Sequence, residues 1–323
     1  MHDTRDATRH NQAPHHPGQV TAHSHWTRYF LGLIAMFLMT GCTSLSLAVV
    51  NVPTWFSDLT VDQDLVFDPE TGLALDLYRP GIPNTDARHP VVVFFYGGSW
   101  QEGDKVDYRF VAASLAAQGY LVAVPNYRKS PTVGVSGFMA DAARATRWVF
   151  DHAERYQGDP GRFFLMGHSA GGHMAALLGI DKSWLEAVGL RPDQVTGVVG
   201  LAGPYDFTPR AEDIRRVFAD APDNATHLSR LVTGDEPPML LQYGLADEIV
   251  AAQNHERLSA ALTTHDICHQ VITYEGLDHA DMVSAFSWIY RDKRPVFADT
   301  LAFLVASAGR RNGDCSHHNT HPD

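Results

Sequence analysis

Ser169 stands in Gly167-His168-Ser169-Ala170-Gly171, a G-x-S-x-G pattern. Such a pattern carries a serine on a tight strand-to-helix turn and raises its hydroxyl above a sheet. The glycines permit the turn, and the first amides of the following helix aim their N–H groups at the same point. A serine placed there attacks a carbonyl carbon once a base takes its proton, and the base needs an acid to orient it. The pattern arises by composition alone in about one chain in ten of this makeup, so its partners decide the reading. His279, in Glu275-Gly276-Leu277-Asp278-His279, is the candidate base. Asp247, in Gly244-Leu245-Ala246-Asp247, is the candidate acid. Gly97-Gly98-Ser99-Trp100 offers unobstructed backbone amides. Those of Gly98, Ser99 and Ala170 are the candidate donors to a developing oxyanion. Two rival acids weigh less. Asp278 adjoins His279 and is badly placed to reach its Nδ1, and Glu248 is one residue off. His168 reads as a pocket-lining or packing residue, and His173, one turn after Ser169, as a helix-face residue.

The segments around these residues alternate between two periods. Leu73–Tyr78 alternates apolar and polar, as a half-buried strand does. Val91–Tyr96 is an unbroken β-branched and aromatic run, suited to a strand covered on both faces. Leu121–Val124, Arg162–Met166, Val198–Leu201, Met239–Tyr243 and Val271–Tyr274 are further strands by the same criteria. Between them, Phe138, Ala142, Ala145 and Val149 fall at helical spacing. So do Leu258, Ala261 and Leu262, and then Leu301, Leu304 and Val305. Strands alternating with helices imply an α/β fold, a mostly parallel central sheet with helices on both faces. Ligands of such sheets bind beyond the C-terminal strand ends, where Ser169, Asp247, His279 and Gly98 all fall. Residues 204–234 break the alternation and read as a short cap-like insertion over the sheet edge.

In these motifs the chain resembles the α/β-hydrolase superfamily over about Asp62 to Ala306. The resemblance is to the carboxylesterase and hormone-sensitive lipase-like branch, which carries an H-G-G-x-W loop. It rests on Leu75-Asp76-Leu77-Tyr78-Arg79-Pro80, Gly97-Gly98-Ser99-Trp100, Asn126-Tyr127-Arg128, the elbow at Gly167–Gly171, Asp247 and His279. The order serine, aspartate, histidine is that of the superfamily. Two positions depart from it: Tyr96 replaces the usual His, and Asn126 replaces the Asp of many members. The resemblance implies a carboxylesterase-type serine hydrolase acting on small acyl esters through an acyl-enzyme on Ser169. His279 would be the base and Asp247 the orienting acid. An amidase, peptidase or arylformamidase-like hydrolase would use the same triad, and a non-catalytic binding module of this fold is a further alternative. No cofactor and no metal are implied.

Composition bounds the remainder. The chain has 323 residues and a net charge of −12, from 25 Lys and Arg against 37 Asp and Glu. So acidic a surface repels polyphosphates, which speaks against a nucleic-acid partner. The length suits one large core with tails: a catalytic domain over 62–308, a tether over 42–61 and polar ends at 1–41 and 309–323. Both ends are rich in histidine and read as solvated segments. Tyr29–Met39 has the length of a signal-peptide apolar core and is followed by Leu38-Met39-Thr40-Gly41-Cys42. This resembles a bacterial lipoprotein signal with Cys42 as the lipidated residue, although Met39 is off the pattern. An uncleaved membrane anchor over 29–50 is the alternative. Either implies a domain tethered to a membrane of the cell envelope.

Overall fold

The computed structural model describes residues 51, 58–81, 88–221 and 224–309. Cys42, the apolar run before it and the polar tails fall outside them. Among the described residues, no helix is long and apolar enough to cross a membrane.

Eight strands form one sheet: β1 (Leu59–Asp68), β2 (Leu73–Pro80), β3 (His89–Phe95), β4 (Leu121–Pro125), β5 (Gly158–His168), β6 (Gly197–Leu201), β7 (Met239–Gly244) and β8 (His269–Tyr274). Their spatial order is β1-β2-β4-β3-β5-β6-β7-β8. β1 and β2 pair antiparallel with each other, as do β2 and β4. Every pairing from β4 through β8 is parallel. The α/β-hydrolase architecture expected from the sequence is therefore the one observed. β1 starts inside the segment expected to be tether: Leu59 and Thr60 pair with Pro80 and Arg79. Its residues are mostly half-exposed, which left no apolar run to mark an edge strand. The central strands behave as their composition demands. Residues 91–95 are all buried, because a parallel sheet is covered on both faces.

The helices are α1 (Arg109–Ala116), α2 (Val135–His152), α3 (Ala170–Ile180), α4 (Ser183–Glu186), α5 (Glu212–Val217), α6 (Gln253–Thr264), α7 (His279–Ser284) and α8 (Val296–Ala308). In α2 the expected stripe of Phe138, Ala142, Ala145 and Val149 is buried. So is Asp141, whose carboxylate takes the backbone N–H, Nε and Nη2 of Arg128. That fork anchors the β4 exit loop to α2. α3 is buried along its entire length, which its Gly and Ala content allows. In α8 the buried face runs through Val296, Phe297, Thr300, Phe303 and Leu304. Val305, expected on that face, is exposed. It is one residue, about 100°, past Leu304, which turns it off the buried stripe.

The described residues of the 204–234 insertion pack beside the loop that leaves β3 and the helix that follows β5, through Phe207 and Phe218 on Trp100 and Ala225 on His173. Strand β6, which precedes them, is the third from the edge. Asp206 and His227 form an isolated bridge, and Arg257 of α6 reaches the buried Asp206 carboxylate at 3.0 Å. The insertion packs Phe207 and Phe218 on Trp100, at ring distances of 6.0 and 4.9 Å.

Candidate active site

The registers bring the chemistry-bearing loops together. Phe95 at the end of β3 pairs with Gly167 of β5, so Gly97 and Gly98 leave the sheet beside Ser169. The contact is close, since a Cβ on Gly97 would stand 3.1 Å from the Ser169 Cβ. Both elbow glycines are required by space. A Cβ on Gly167 would lie 2.1 Å from the carbonyl oxygen of Gly171, and one on Gly171 would lie 2.0 Å from that of Phe95. Ser169 itself adopts φ 54°, ψ −121°, a strained conformation for a residue with a side chain, costing on the order of 1–3 kcal/mol. Its N–H donates to the Leu201 carbonyl at 2.8 Å, which holds the strained residue to the neighbouring strand.

His279 is the first residue of α7, beyond β8, which lies three strands away from β5. The chain returns by crossing the end of β7. The carbonyl oxygen of Leu277 would be 2.2 Å from a Cβ on Gly244, and it accepts from the Ala246 N–H at 3.0 Å. The crossing places the His279 Nδ1 2.7 Å from Asp247 Oδ2. The other oxygen of Asp247 accepts from the N–H groups of Ile249 at 2.8 Å and Val250 at 2.9 Å. Both side chains are buried. Since a carboxylate oxygen accepts, the proton of neutral His279 resides on Nδ1, and Nε2 is left as the ring's basic nitrogen. The rivals are elsewhere. Asp278 caps α7 by accepting from the Asp281 N–H at 2.8 Å, and Glu248 is exposed.

Gly98, Ser99 and Trp100 all have positive φ, at 124°, 51° and 59°. They form a left-handed turn closed by Gln101 and Glu102 N–H groups donating to the Gly98 carbonyl. Gly98 is the residue that this turn needs. A Cβ there would meet the Glu102 carbonyl oxygen at 2.3 Å. Among the described residues, the amides of Gly98, Ser99 and Ala170 make no backbone hydrogen bond, as at the open first turn of a helix. Trp100, by contrast, turns inward and is buried.

The two departures at positions 96 and 126 meet each other. The buried Tyr96 hydroxyl donates to Asn126 Oδ1 at 2.7 Å. Burial pushes its pKa well above the ordinary phenol value, so it remains a donor. The same Oδ1 accepts from the Lys105 N–H at 2.9 Å. Asn126 Nδ2 donates to Asp104 Oδ2 at 2.9 Å. An aspartate at 126 would instead set two carboxylates against each other, so Asp104 accounts for the amide. The buried Lys105 ammonium contacts Asp76 Oδ1 at 2.6 Å and Asp64 Oδ1 at 2.8 Å. Burial opposes its charge, but these two carboxylates outweigh burial and hold it above its ordinary value. Asp76, from the Leu75–Pro80 motif, therefore ties β2 through Lys105 to the segment that follows the Gly98 turn.

The sequence pattern missed several supports: the crossing at Gly244, the Ile249 and Val250 amides, and the Tyr96–Asn126 pair. His173, read as a helix-face residue, is fully buried. Its Nε2 is 2.7 Å from the Ala225 carbonyl of the insertion, and its ring meets Trp100 edge-on at 5.3 Å. Burial pushes it down to about 4. Only contacts made after folding distinguish that environment from an exposed helical face. Among the described residues, no group of three or more His, Cys, Asp or Glu could hold a metal ion.

The BD-FAE family profile matches residues 75–262, a span that runs from β2 through the elbow to α6 and includes Asp247. The chain belongs to the BD-FAE family. It is a family of α/β-hydrolase esterases. The chain is 26% identical over 282 residues to the isoprenylcysteine alpha-carbonyl methylesterase ICME of Arabidopsis thaliana, covering 80% of this chain and 64% of that protein. It is 29% identical over 220 residues to the probable carboxylic ester hydrolase LipM of Mycobacterium tuberculosis, covering 61% and 51%. The chain thus spans less than two thirds of the length of these relatives. Among solved structures, esterase B of Lactobacillus rhamnosis, inhibited by a tributyrin phosphonate, superposes with a TM-score of 0.69 at 21% identity. The match covers 85% of this chain and 96% of that one. Esterase 2 of Thermogutta terrifontis with bound butyrate superposes with a TM-score of 0.62 at 24% identity, covering 77% and 92%. At these identities the superpositions establish the BD-FAE chain's fold alone.

Proposed function

We propose that the protein is a carboxylic ester hydrolase that works through an acyl-enzyme on Ser169. The observation that carries the reading is the 2.7 Å contact of His279 Nδ1 with Asp247, made beside an elbow serine held in a strained turn. His279 Nε2 takes the Ser169 proton as the hydroxyl attacks the acyl carbonyl, then returns it to the leaving alcohol. Water attacks the acyl-enzyme by the same route. Asp247 orients the imidazole and stabilises the imidazolium. The amides of Gly98, Ser99 and Ala170 are the proposed donors to the tetrahedral oxyanion. The insertion is short and its Phe207 and Phe218 pack on Trp100, so small acyl esters are the proposed substrates. The relatives' names, methylesterase and carboxylic ester hydrolase, agree with ester over amide chemistry.

A panel of p-nitrophenyl esters and aryl amides tests the reading. Short-chain esters should turn over faster than amides, and Ser169→Ala should lower kcat by roughly 10³-fold or more without unfolding the protein. A fluorophosphonate should label Ser169. Labelling at Ser99, or full activity of the alanine variant, would overturn the assignment.

The location is proposed from residues 29–42. A cleaved Cys42 bearing more than one acyl chain would anchor the domain stably on a membrane of the cell envelope. In a bacterial host the protein should incorporate labelled fatty acid, and Cys42→Ser should abolish the label while esterase activity survives. Recovery of residues 29–50 intact in the mature protein would contradict this location.

A further inference from the structure

We infer that His168 is a positioning residue. By donating from Nε2 to the backbone carbonyl of His279, it sets where the His279 imidazole stands relative to Ser169. The inference rests on the hydrolase reading given above.

His168 is the last residue of β5 and directly precedes Ser169. It is buried, and its Nε2 lies 3.0 Å from the carbonyl oxygen of His279. A carbonyl oxygen only accepts, so the ring proton is on Nε2 and Nδ1 carries the lone pair. Nδ1 is buried and has no hydrogen-bond partner among the described residues. It faces the oxyanion-side loop instead: a Cβ on Gly97 would stand 3.2 Å from it. The His168 and His279 rings are 4.9 Å apart. One neutral imidazole thus touches the elbow, the Gly97 backbone and the segment carrying the base.

The topology explains why such a link matters. His279 begins a six-residue helix at the end of a loop from β8. The hydrogen bond from its ring to Asp247, and the Ala246–Leu277 bond two residues earlier, belong to the β7 side. Among the described residues, the bond from His168 is the hydrogen bond joining the backbone of His279 to the strand that carries the nucleophile. A packing role would require only a side chain of similar volume. Positioning requires the donor. Burial, and then the neighbouring His279, push His168 down to about 3. It therefore stays neutral at ordinary pH and keeps the lone pair, not an N–H, against Gly97.

Two variants separate these roles. His168→Gln retains an N–H donor at a comparable reach, whereas His168→Met fills a similar volume without one. The glutamine variant should keep most of kcat. The methionine variant should lose roughly 10- to 100-fold in kcat, the scale of a misplacement near 1 Å. Its KM should change by less than about twofold, and fluorophosphonate labelling of Ser169 should slow by the same factor as kcat. Equal activity of the two variants, or a loss confined to KM, would overturn the inference. Should both variants fail to fold, nitrogen-15 NMR of the wild-type imidazoles decides. His168 should show the neutral Nε2–H tautomer from pH 8 to pH 5, and an Nδ1–H tautomer would overturn the proposed bond. Undiminished turnover by Ser169→Ala would overturn the hydrolase reading and this inference with it. A dead Ser169→Ala beside a wild-type-like methionine variant would overturn this inference alone.

Discussion

The two sides of the site are held by different means. On the acid–base side, Asp247 and His279 sit on loops beyond β7 and β8, fixed by two backbone amides, one carbonyl crossing over Gly244 and the bond from His168. On the oxyanion side, the turn at Gly98 is backed by a hydrogen-bonded lattice, buried at Tyr96, Lys105 and Asp76, that runs from Tyr96 through Asn126 to Asp104, and from Lys105 to Asp76 and the exposed Asp64. The groups that would do the chemistry keep the superfamily's residue types. The lattice does not: it departs at Tyr96 and Asn126. A reacting atom must have one chemical identity, whereas a support must only satisfy its neighbours. Tyr96 and Asn126, the two departures, satisfy each other through one hydrogen bond.

This contrast can be broken from either side. The largest effect belongs to the acid. Asp247→Asn should lower kcat by about 10⁴-fold, because the amide favours the wrong imidazole tautomer. Asp278→Asn should leave kcat within about threefold and cost stability only through its cap on α7. If steady-state kinetics rank the two in reverse, the acid has been misassigned. Next comes the oxyanion turn. Gly98→Val forces a side chain onto the Glu102 carbonyl and off the left-handed conformation. The displaced amide should cost about 2.7–4 kcal/mol of transition-state stabilisation, read as a fall in kcat at nearly constant KM. An unchanged kcat would make the loop a plain turn.

Smaller effects probe the lattice. Asn126→Asp should destabilise the fold by about 1–3 kcal/mol, since it turns a donor facing Asp104 into a second carboxylate. Adding Asp104→Asn should recover much of that loss in urea melts. Failure of the double variant to recover would separate Asp104 from the choice of amide at 126. The smallest effect is on pH dependence. His168 and His173 are pushed down to about 3 and about 4 from an ordinary 6.5. The unfolded chain therefore binds protons that the folded one refuses. Stability is fully present above about pH 6.5 and falls as pH drops toward these values, by up to about 1.4 kcal/mol per pH unit for each histidine. His173→Gln, which can still donate to Ala225, should flatten the decline between pH 6 and pH 4.5 in thermal melts.

Much of this architecture could be read without coordinates, for local reasons. Unbroken β-branched runs such as Val91–Phe95 mark strands covered on both faces, and the elbow glycines mark a turn that no residue with a Cβ could make. β1 escaped because an edge strand carries little apolar signal. A three-residue pattern leaves a helix's rotation loosely defined, so Val305 fits the apolar spacing in sequence and is exposed in the structure. The burial of His173 was invisible because it depends on an insertion folding back from residues 204–234.

Residue types and order thus determined the sheet, the elbow and the candidates Ser169, Asp247 and His279, because strand periodicity and turn geometry are short-range properties. Tertiary structure alone decided that β8's exit loop crosses over Gly244 to bring His279 back to Asp247. It also decided that Tyr96 and Asn126 satisfy one another, and that His168 bridges the elbow to His279. These are contacts between residues 30 to 111 positions apart. Nothing in the local pattern distinguishes such partners until the strands have set their registers and desolvated the groups between them.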